Sequence, residues 1–367
     1  MNNTANFFVI LLMLFSLVGC DQEGPDDPSD GFDRAPMLEN YADNLIIPAM
    51  RGLADEAGEM TDALATFSAS PSLAHLEDMR VEYLDLFTAF QYAAVYDFGP
   101  AETNFGTLFE NQGTWPVDTA LLESYIASGD SSLNNFDRDT RGLPALGYLL
   151  YGDEESDEEV LSSLQNPTRL GYLRAVVRSV SEEAERIAGE WEGDYRQTFL
   201  SSIGTSAGSS TSMLYNSFVL SFERLKNFKL GLPLGLRPGQ IEAEPDLVEA
   251  YYGRLSYRLL QVHFEAVEKT YYGMAYGSTT DGIGFPEYLV TVVGGPELID
   301  ATQVQIRSVV EHFALIPTDA DLAQLIRDED ARVSDLHTEM QKLTRFFKSD
   351  MSSLLGISIT YDSGDGD

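Results

Sequence analysis

Four histidines, His75, His263, His312 and His337, are the side chains best suited to hold a transition metal or move a proton near neutral pH. None belongs to a His-Glu-x-x-His pair. A hydrolytic zinc centre needs about three protein ligands and an open fourth position. His75, Asp78 and Glu82 come nearest to such a set, because their spacing puts one imidazole and two carboxylates on one helix face. That face lies opposite the helix's apolar stripe, so a solvated surface is the favoured account of it. The trio is carried forward as a candidate metal set. The other three histidines sit beside apolar seam residues, at the edges of helix interfaces. Nucleophilic chemistry finds no support. There is no Gly-x-Ser-x-Gly elbow, no glycine loop with a phosphate-binding lysine, and no cysteine beyond Cys20. The C-terminal Asp362-Ser363-Gly364-Asp365-Gly366-Asp367 resembles the first half of a calcium loop but lacks the closing glutamate, and reads as disordered acid.

One stretch organises the remaining candidates. Arg141-Gly142-Leu143-Pro144 forms a turn that feeds the apolar run Ala145 to Tyr151, closed by Gly152. Between Gly142 and Gly152 there is no His, Glu, Asp or Cys. A site here must borrow polar groups from elsewhere. The expected pocket lies where this turn meets the first helix, near Asn44 and Pro48. Arg141 and Gly142 would form its rim, with Arg141 available to an anionic group and Tyr148 lining the wall. Taken singly, Arg141 also suits a loop ion pair and Tyr148 a core position.

The surface excludes several partners. Of 367 residues, 23 are Lys or Arg and 59 are Asp or Glu, a net charge of −36. Such a field repels nucleic acid and anionic lipid headgroups. With one cysteine, no intrachain disulfide forms. Phe7 to Val18 is an apolar run shorter than the roughly 20 residues that span a bilayer, and it ends in Leu17-Val18-Gly19-Cys20. Small residues before a cysteine at the end of such a run are similar to a bacterial lipoprotein signal, with Cys20 as the lipidated residue. The basic n-region is missing from Met1 to Asn6. The acidic, Pro- and Gly-rich segment after Cys20 cannot bury enough surface to order itself and reads as a tether.

The elements that must position these residues are helical throughout. Apolar residues recur by threes and fours from Met37 to Thr66, with Pro48 as an interruption. Ser70-Pro71 reads as the start of a second helix that ends at Tyr96-Asp97-Phe98-Gly99-Pro100. Asn166-Pro167 opens a seam helix through Trp191. Residues 201–212 allow a close-packed helix or a loop. Pro245 is expected to start a helix through Ala266, residues 273–284 a loop, and residues 321–355 a last long helix. No stretch alternates with a period of two. The fold class is all-α. Gly142-Leu143-Pro144 and Gly284-Phe285-Pro286 each lead into a similar helical plan, which suggests two packed bundles, an internal duplication being one way to explain them.

Four stretches together resemble the imelysin family, cell-envelope proteins once described as metallopeptidases and often linked to iron uptake. They are Leu38 to Pro48, Tyr96 to Pro100, Arg141 to Gly152, and Ile357 to Asp367. The family signature carries a Gly, a His two residues on, and a Glu three after that. Here those places hold Gly142, Pro144 and Gly147. Pro144 offers no side-chain donor or acceptor and Gly147 no side chain. The resemblance therefore implies the helical fold and the envelope setting, and removes peptidase chemistry from that place.

The expected organisation is a signal peptide over residues 1–19, a tether over 20–34, helical bundles over 35–195 and 196–356, and an acidic tail over 357–367. The expected function is a non-catalytic, lipid-anchored binding protein of the outer membrane, on its periplasmic or surface face. The resemblance alone implies iron uptake or handling, an envelope iron-uptake partner, and iron or another divalent cation as the cation to consider, weakly bound or not bound at all. Two alternatives stay open: a metallopeptidase with relocated ligands, and a glycan-capture lipoprotein. The latter needs exposed aromatic platforms, and of the two tryptophans, Trp115 and Trp191, the second falls on a seam.

Overall fold

The computed structural model describes residues 31–153 and 156–361. The leader, Cys20, most of the tether and residues 362–367 of the tail lie outside the described residues. The helices are α1 (Arg34–Asn40), α2 (Ile47–Ala69), α3 (Leu73–Ala93), α4 (Leu108–Gln112), α5 (Thr119–Ser128), α6 (Gly142–Tyr151), α7 (Asp157–Leu164) and α8 (Pro167–Glu190). They continue as α9 (Arg196–Leu200), α10 (Ser210–Glu223), α11 (Ser256–Tyr272), α12 (Phe285–Leu289), α13 (Gly295–Phe313), α14 (Leu322–Arg327), α15 (Ala331–Thr344) and α16 (Met351–Leu355). A two-stranded ribbon, β1 (Glu102–Thr103) against β2 (Gly106–Thr107), is the sheet among the described residues. The all-α expectation holds.

Helices α2, α3, α6 and α8 pack as one group, α10, α11, α13 and α15 lie in the other, and α3 against α11 joins them. Pro48 interrupts the first helix in a specific way. A π-helical turn, Tyr41–Ile46, joins α1 to α2 and leaves Pro48 in the first turn of α2. The widened bonding of that turn, in which the Ile47 N–H reaches the Ala42 carbonyl, accommodates the bond that the proline cannot make. Asn166 caps α8, its side chain accepting from the Thr168 N–H at 3.0 Å.

Several boundaries differ from the sequence reading. Ser72, not Ser70, caps α3, accepting from the His75 N–H at 3.2 Å, while Ser70 closes α2. Residues 201–208 are loop, and α10 starts at Ser210. Pro245 opens only a short 3-10 turn, Pro245–Leu247, and α11 begins at Ser256. The last helix is broken at Asp328–Asp330, where Glu329 takes a left-handed φ of 54°. Phe32 and Arg34, read with the tether, belong to the folded body. Phe32 stacks on Tyr288 at 4.8 Å, and Arg34 donates to the Ile203 carbonyl at 2.8 Å and the Tyr288 hydroxyl at 2.9 Å. Ile357, read with the tail, is buried.

A charged pair sits inside the molecule. Helix α10 runs into a π-helical segment, Arg224–Gly231, which carries Lys229 inward. Lys229 Nζ lies 2.8 Å from Glu249 Oε1, and both side chains are 2% exposed. Lys229 also donates to Gln91 of α3 at 2.5 Å, and Gln91 donates to Glu249 at 3.4 Å. Burial holds the Lys229 ammonium below its ordinary range, against the pull of Glu249. The pair ties together α3, the π-helical segment and the loop that leads to α11. Removing one partner strands the other charge in a low-dielectric interior. Lys229→Met should therefore lower unfolding free energy by about 3–5 kcal/mol in urea denaturation. The double variant Lys229→Met/Glu249→Leu should recover most of that loss, because no unpaired charge is left buried.

Candidate functional site

Helix α6 has a cleft at each end. At its start, Arg141 adopts an extended conformation and Gly142 a left-handed one, φ 74°. A Cβ on Gly142 would come 2.6 Å from the Gln112 carbonyl oxygen, so only glycine fits this approach of α6 to α4. Arg141 is 6% exposed. Its guanidinium donates to Asn111 Oδ1 at 3.0 Å and to Asn135 Oδ1 and carbonyl oxygen at 3.3 Å. Asn111 in turn donates to Glu183 at 3.1 Å, and Gln112 donates to the other Glu183 oxygen at 2.5 Å. Asn111 thus separates a buried guanidinium from a desolvated carboxylate. Burial pushes Arg141 below its usual range and Glu183 above its own. These groups, with Arg178 and Arg186, line a cleft of about 420 Å³.

At the other end, Gly152 and Asp153 join Tyr251, Tyr252, Arg254, Asp321, Gln324 and Arg327 around a cleft of about 550 Å³. Tyr148 is directed to this end. Its hydroxyl donates to Glu123 at 2.8 Å and its ring meets Tyr252 edge to face at 5.0 Å. Burial, aided by Glu123, pushes its hydroxyl up to about 12.

The structure does not assemble the expected pocket. Arg141 and Gly142 face α4 and Glu183, whereas Tyr148 is near the far end of α6. Asn44 donates to Asn40 at 2.9 Å, and its carbonyl accepts from the Tyr276 N–H at 2.7 Å. It thereby supports the 273–284 loop, and Pro48 stands in the first turn of α2. Helical periodicity assigns a side chain to a face of its own element. It carries no information on which element ends meet.

The signature positions are closed. Pro144 and Gly147 are buried. A Cβ on Gly147 would lie 2.5 Å from the Tyr83 hydroxyl of α3, so tyrosine fills the room that a glutamate side chain would need. These residues do not fit a metal at that place.

The expected trio His75, Asp78 and Glu82 is also reassorted. His75 Nδ1 lies 2.6 Å from the Ser70 carbonyl oxygen. Glu82 gathers instead with Glu56 of α2 and Asp85, with one oxygen of each within 4.8 Å of the others. Burial, then the neighbouring carboxylates, raise both Glu56 and Glu82. Oxygen-only donors of this kind suit a hard cation. The other histidines are committed elsewhere. His263, buried, lies 2.7 Å from Ser221 Oγ and is held far below the usual imidazole range by burial and by the Lys229 and Arg224 charges. His312 Nδ1 lies 2.7 Å from the Ser308 carbonyl oxygen. Burial and Lys226 lower His337 to about 4.

The sequence reading missed Tyr251, Tyr252 and Arg254 because it ran one helix through Val248 to Ala266, and Gln324 and Arg327 because nothing local marks the start of the last helix as facing that turn. Consecutive tyrosines followed by Gly253 were a usable signal, since neighbours on a helix point about 100° apart and cannot share one seam.

Two measurements probe this geometry. Gly147→Ala should destabilise the fold by about 1–3 kcal/mol through overpacking, and Tyr83→Phe in the same chain should restore part of the loss by removing the clashing oxygen. Glu82 and Glu56 titrate above their unfolded values, so the folded chain binds their protons more tightly. Their penalty is absent below the unfolded pKa and complete once pH rises past the raised one. Glu82→Gln should therefore raise the thermal midpoint at pH 7, with the gain vanishing in acid.

The Imelysin family profile (Peptidase_M75) matches residues 46–345. An iron-regulated protein A of Synechococcus elongatus is 22% identical over 257 residues, covering 67% of this chain and 65% of that protein's length. The chain therefore spans just under two thirds of that relative. The crystal structure of a protein described as an iron-regulated protein A precursor, from Parabacteroides distasonis, superposes with a TM-score of 0.71 at 15% identity, covering 87% of this chain and 94% of that one. An imelysin-like protein from Psychrobacter arcticum gives 0.69 at 18% identity, covering 89% and 97%. With its profile match spanning most of the folded body, the chain belongs to the imelysin family.

Proposed function

We propose that this protein is a lipid-anchored member of the family that binds a ligand in the bacterial envelope, in the setting of iron uptake or handling, and does not cleave peptides. The carrying observation is the packing at Gly147, where the Tyr83 hydroxyl stands in the space of the missing acid. With proline at the histidine position, the signature offers neither a metal ligand nor a proton acceptor. The iron setting rests on the names of the relatives. Anchoring at Cys20, on the outer membrane and facing either the periplasm or the surface, rests on the leader's sequence. No helix among the described residues is long and apolar enough to cross a membrane.

One observation favours a second reading, a metal-dependent enzyme with relocated ligands: the Glu56, Glu82 and Asp85 cluster. Chain purified from bacterial membranes separates the two. On the binding reading, mass spectrometry finds a diacylglyceryl Cys20 at the N-terminus, Cys20→Ala releases the chain from the membrane fraction, and casein stays intact. Stoichiometric zinc with chelator-sensitive proteolysis would overturn it.

A further inference from the structure

We propose that the cleft beyond the C-terminal end of α6 binds a neutral, polyhydroxylated ring ligand, the chemistry of a glycan. The inference is independent of the iron setting and of the metal content of the chain.

Four features point to this class. The first is position. Gly152 and Asp153 come from one helical group, and Tyr251 to Arg254, Asp321, Gln324 and Arg327 from the other, so the cleft lies between them. Its volume, about 550 Å³, falls within the range of small-molecule sites, and such sites favour these junctions.

The second is the aromatic surface. Tyr251 and Tyr252 are half-buried and stand nearly perpendicular, with ring centroids 5.3 Å apart and planes at 85°. They form a corner that presents apolar ring surface beside polar groups, as a sugar's C–H and O–H edges require. Tyr148 buttresses Tyr252 from behind.

The third is charge. Among the lining groups Asp153 and Asp321 balance Arg254 and Arg327. Arg254 Nε lies 3.7 Å from Asp321, and Arg327 pairs with Asp246 and donates to the Tyr251 hydroxyl at 3.2 Å. On a chain of net charge −36 this patch is close to neutral. An anion would meet the repulsion of the whole surface, and a cation would find Asp321 already paired with Arg254 and the two lining carboxylates matched by two guanidinium groups. Uncharged hydroxyls suit paired Asp, Arg and Gln groups, which accept and donate without a net charge to neutralise.

The fourth is preorganisation. Arg254 adopts a left-handed φ of 54°, which an arginine rarely takes. Its N–H donates to the Tyr251 carbonyl at 3.0 Å, closing the turn. A Cβ on Gly253 would come within 3.0 Å of the Tyr151 ring, so the turn is seated directly on the last residue of α6. Gln324 is oriented by Asp328, to which its amide donates at 2.9 Å.

The test is calorimetric titration of the mature chain with three neutral hexasaccharides, cellohexaose, maltohexaose and chitohexaose, and with the acidic hexagalacturonate. At least one neutral probe is expected to bind with a Kd below about 1 mM. Tyr252→Ala should weaken it about tenfold or more, and Gln324→Ala, at an exposed position that leaves the core untouched, should weaken it as well. Circular dichroism melting of each variant separates lost binding from lost folding. The proposal is overturned if no neutral probe binds at about 10 mM, if the acidic probe binds best, or if the folded Gln324→Ala chain binds as wild type does.

Discussion

Lys229 and Glu249 meet inside the protein at 2.8 Å, and the arrangement of both helical groups answers to that contact. Neither charge is tolerable there alone. The widened turn of Arg224–Gly231 carries the ammonium inward, and the loop after Leu247 carries the carboxylate to meet it. Gln91 adds a third element, so α3 of the first group and the entry to α11 of the second share one polar knot. The turn bearing Tyr251 to Arg254 follows Glu249 immediately. Its position in the cleft is inherited from the ion pair.

The start of α6 shows how backbone proximity fixes a scaffold whatever its signature side chains are. Gly142 persists because the Gln112 backbone passes too close for any side chain. At Gly147 the constraint runs the other way. The Tyr83 hydroxyl of α3 occupies the space a side chain would need, and so enforces glycine where the family signature has an acid. A reversion at one position alone therefore meets a packed wall. Backbone proximity holds the fold here independently of what the two signature side chains are.

Much of the architecture was legible from periodicity and punctuation. Asn166-Pro167 opens α8 as a capping asparagine before a first-turn proline should, and the glycine-rich 273–284 segment is a loop. Local errors have local causes. Ser70 lost the capping role to Ser72, two residues on, and Pro48 produced a π-helical turn where the sequence suggested a break. The site was far less legible. Lys229 and Glu249 are twenty positions apart and carry no mark of their partnership. The Glu56, Glu82 and Asp85 cluster draws on two helices, so the spacing along α3 alone nominated His75 and Asp78 in place of Glu56 and Asp85. Which element ends converge is set by long-range packing, and a helical repeat is silent about it.

The first residues of the folded body are stitched to the far part of the chain. Phe32 stacks on Tyr288, Arg34 grips the Ile203 carbonyl, and the Asn40 amide holds the Gly273 and Ile283 carbonyls at 2.8 and 3.0 Å. A force applied through whatever precedes residue 31 is thus delivered to α12 and the 273–284 loop before it reaches α2. An N-terminal pull would load the second half of the chain first and reach the groups around α6 only afterwards.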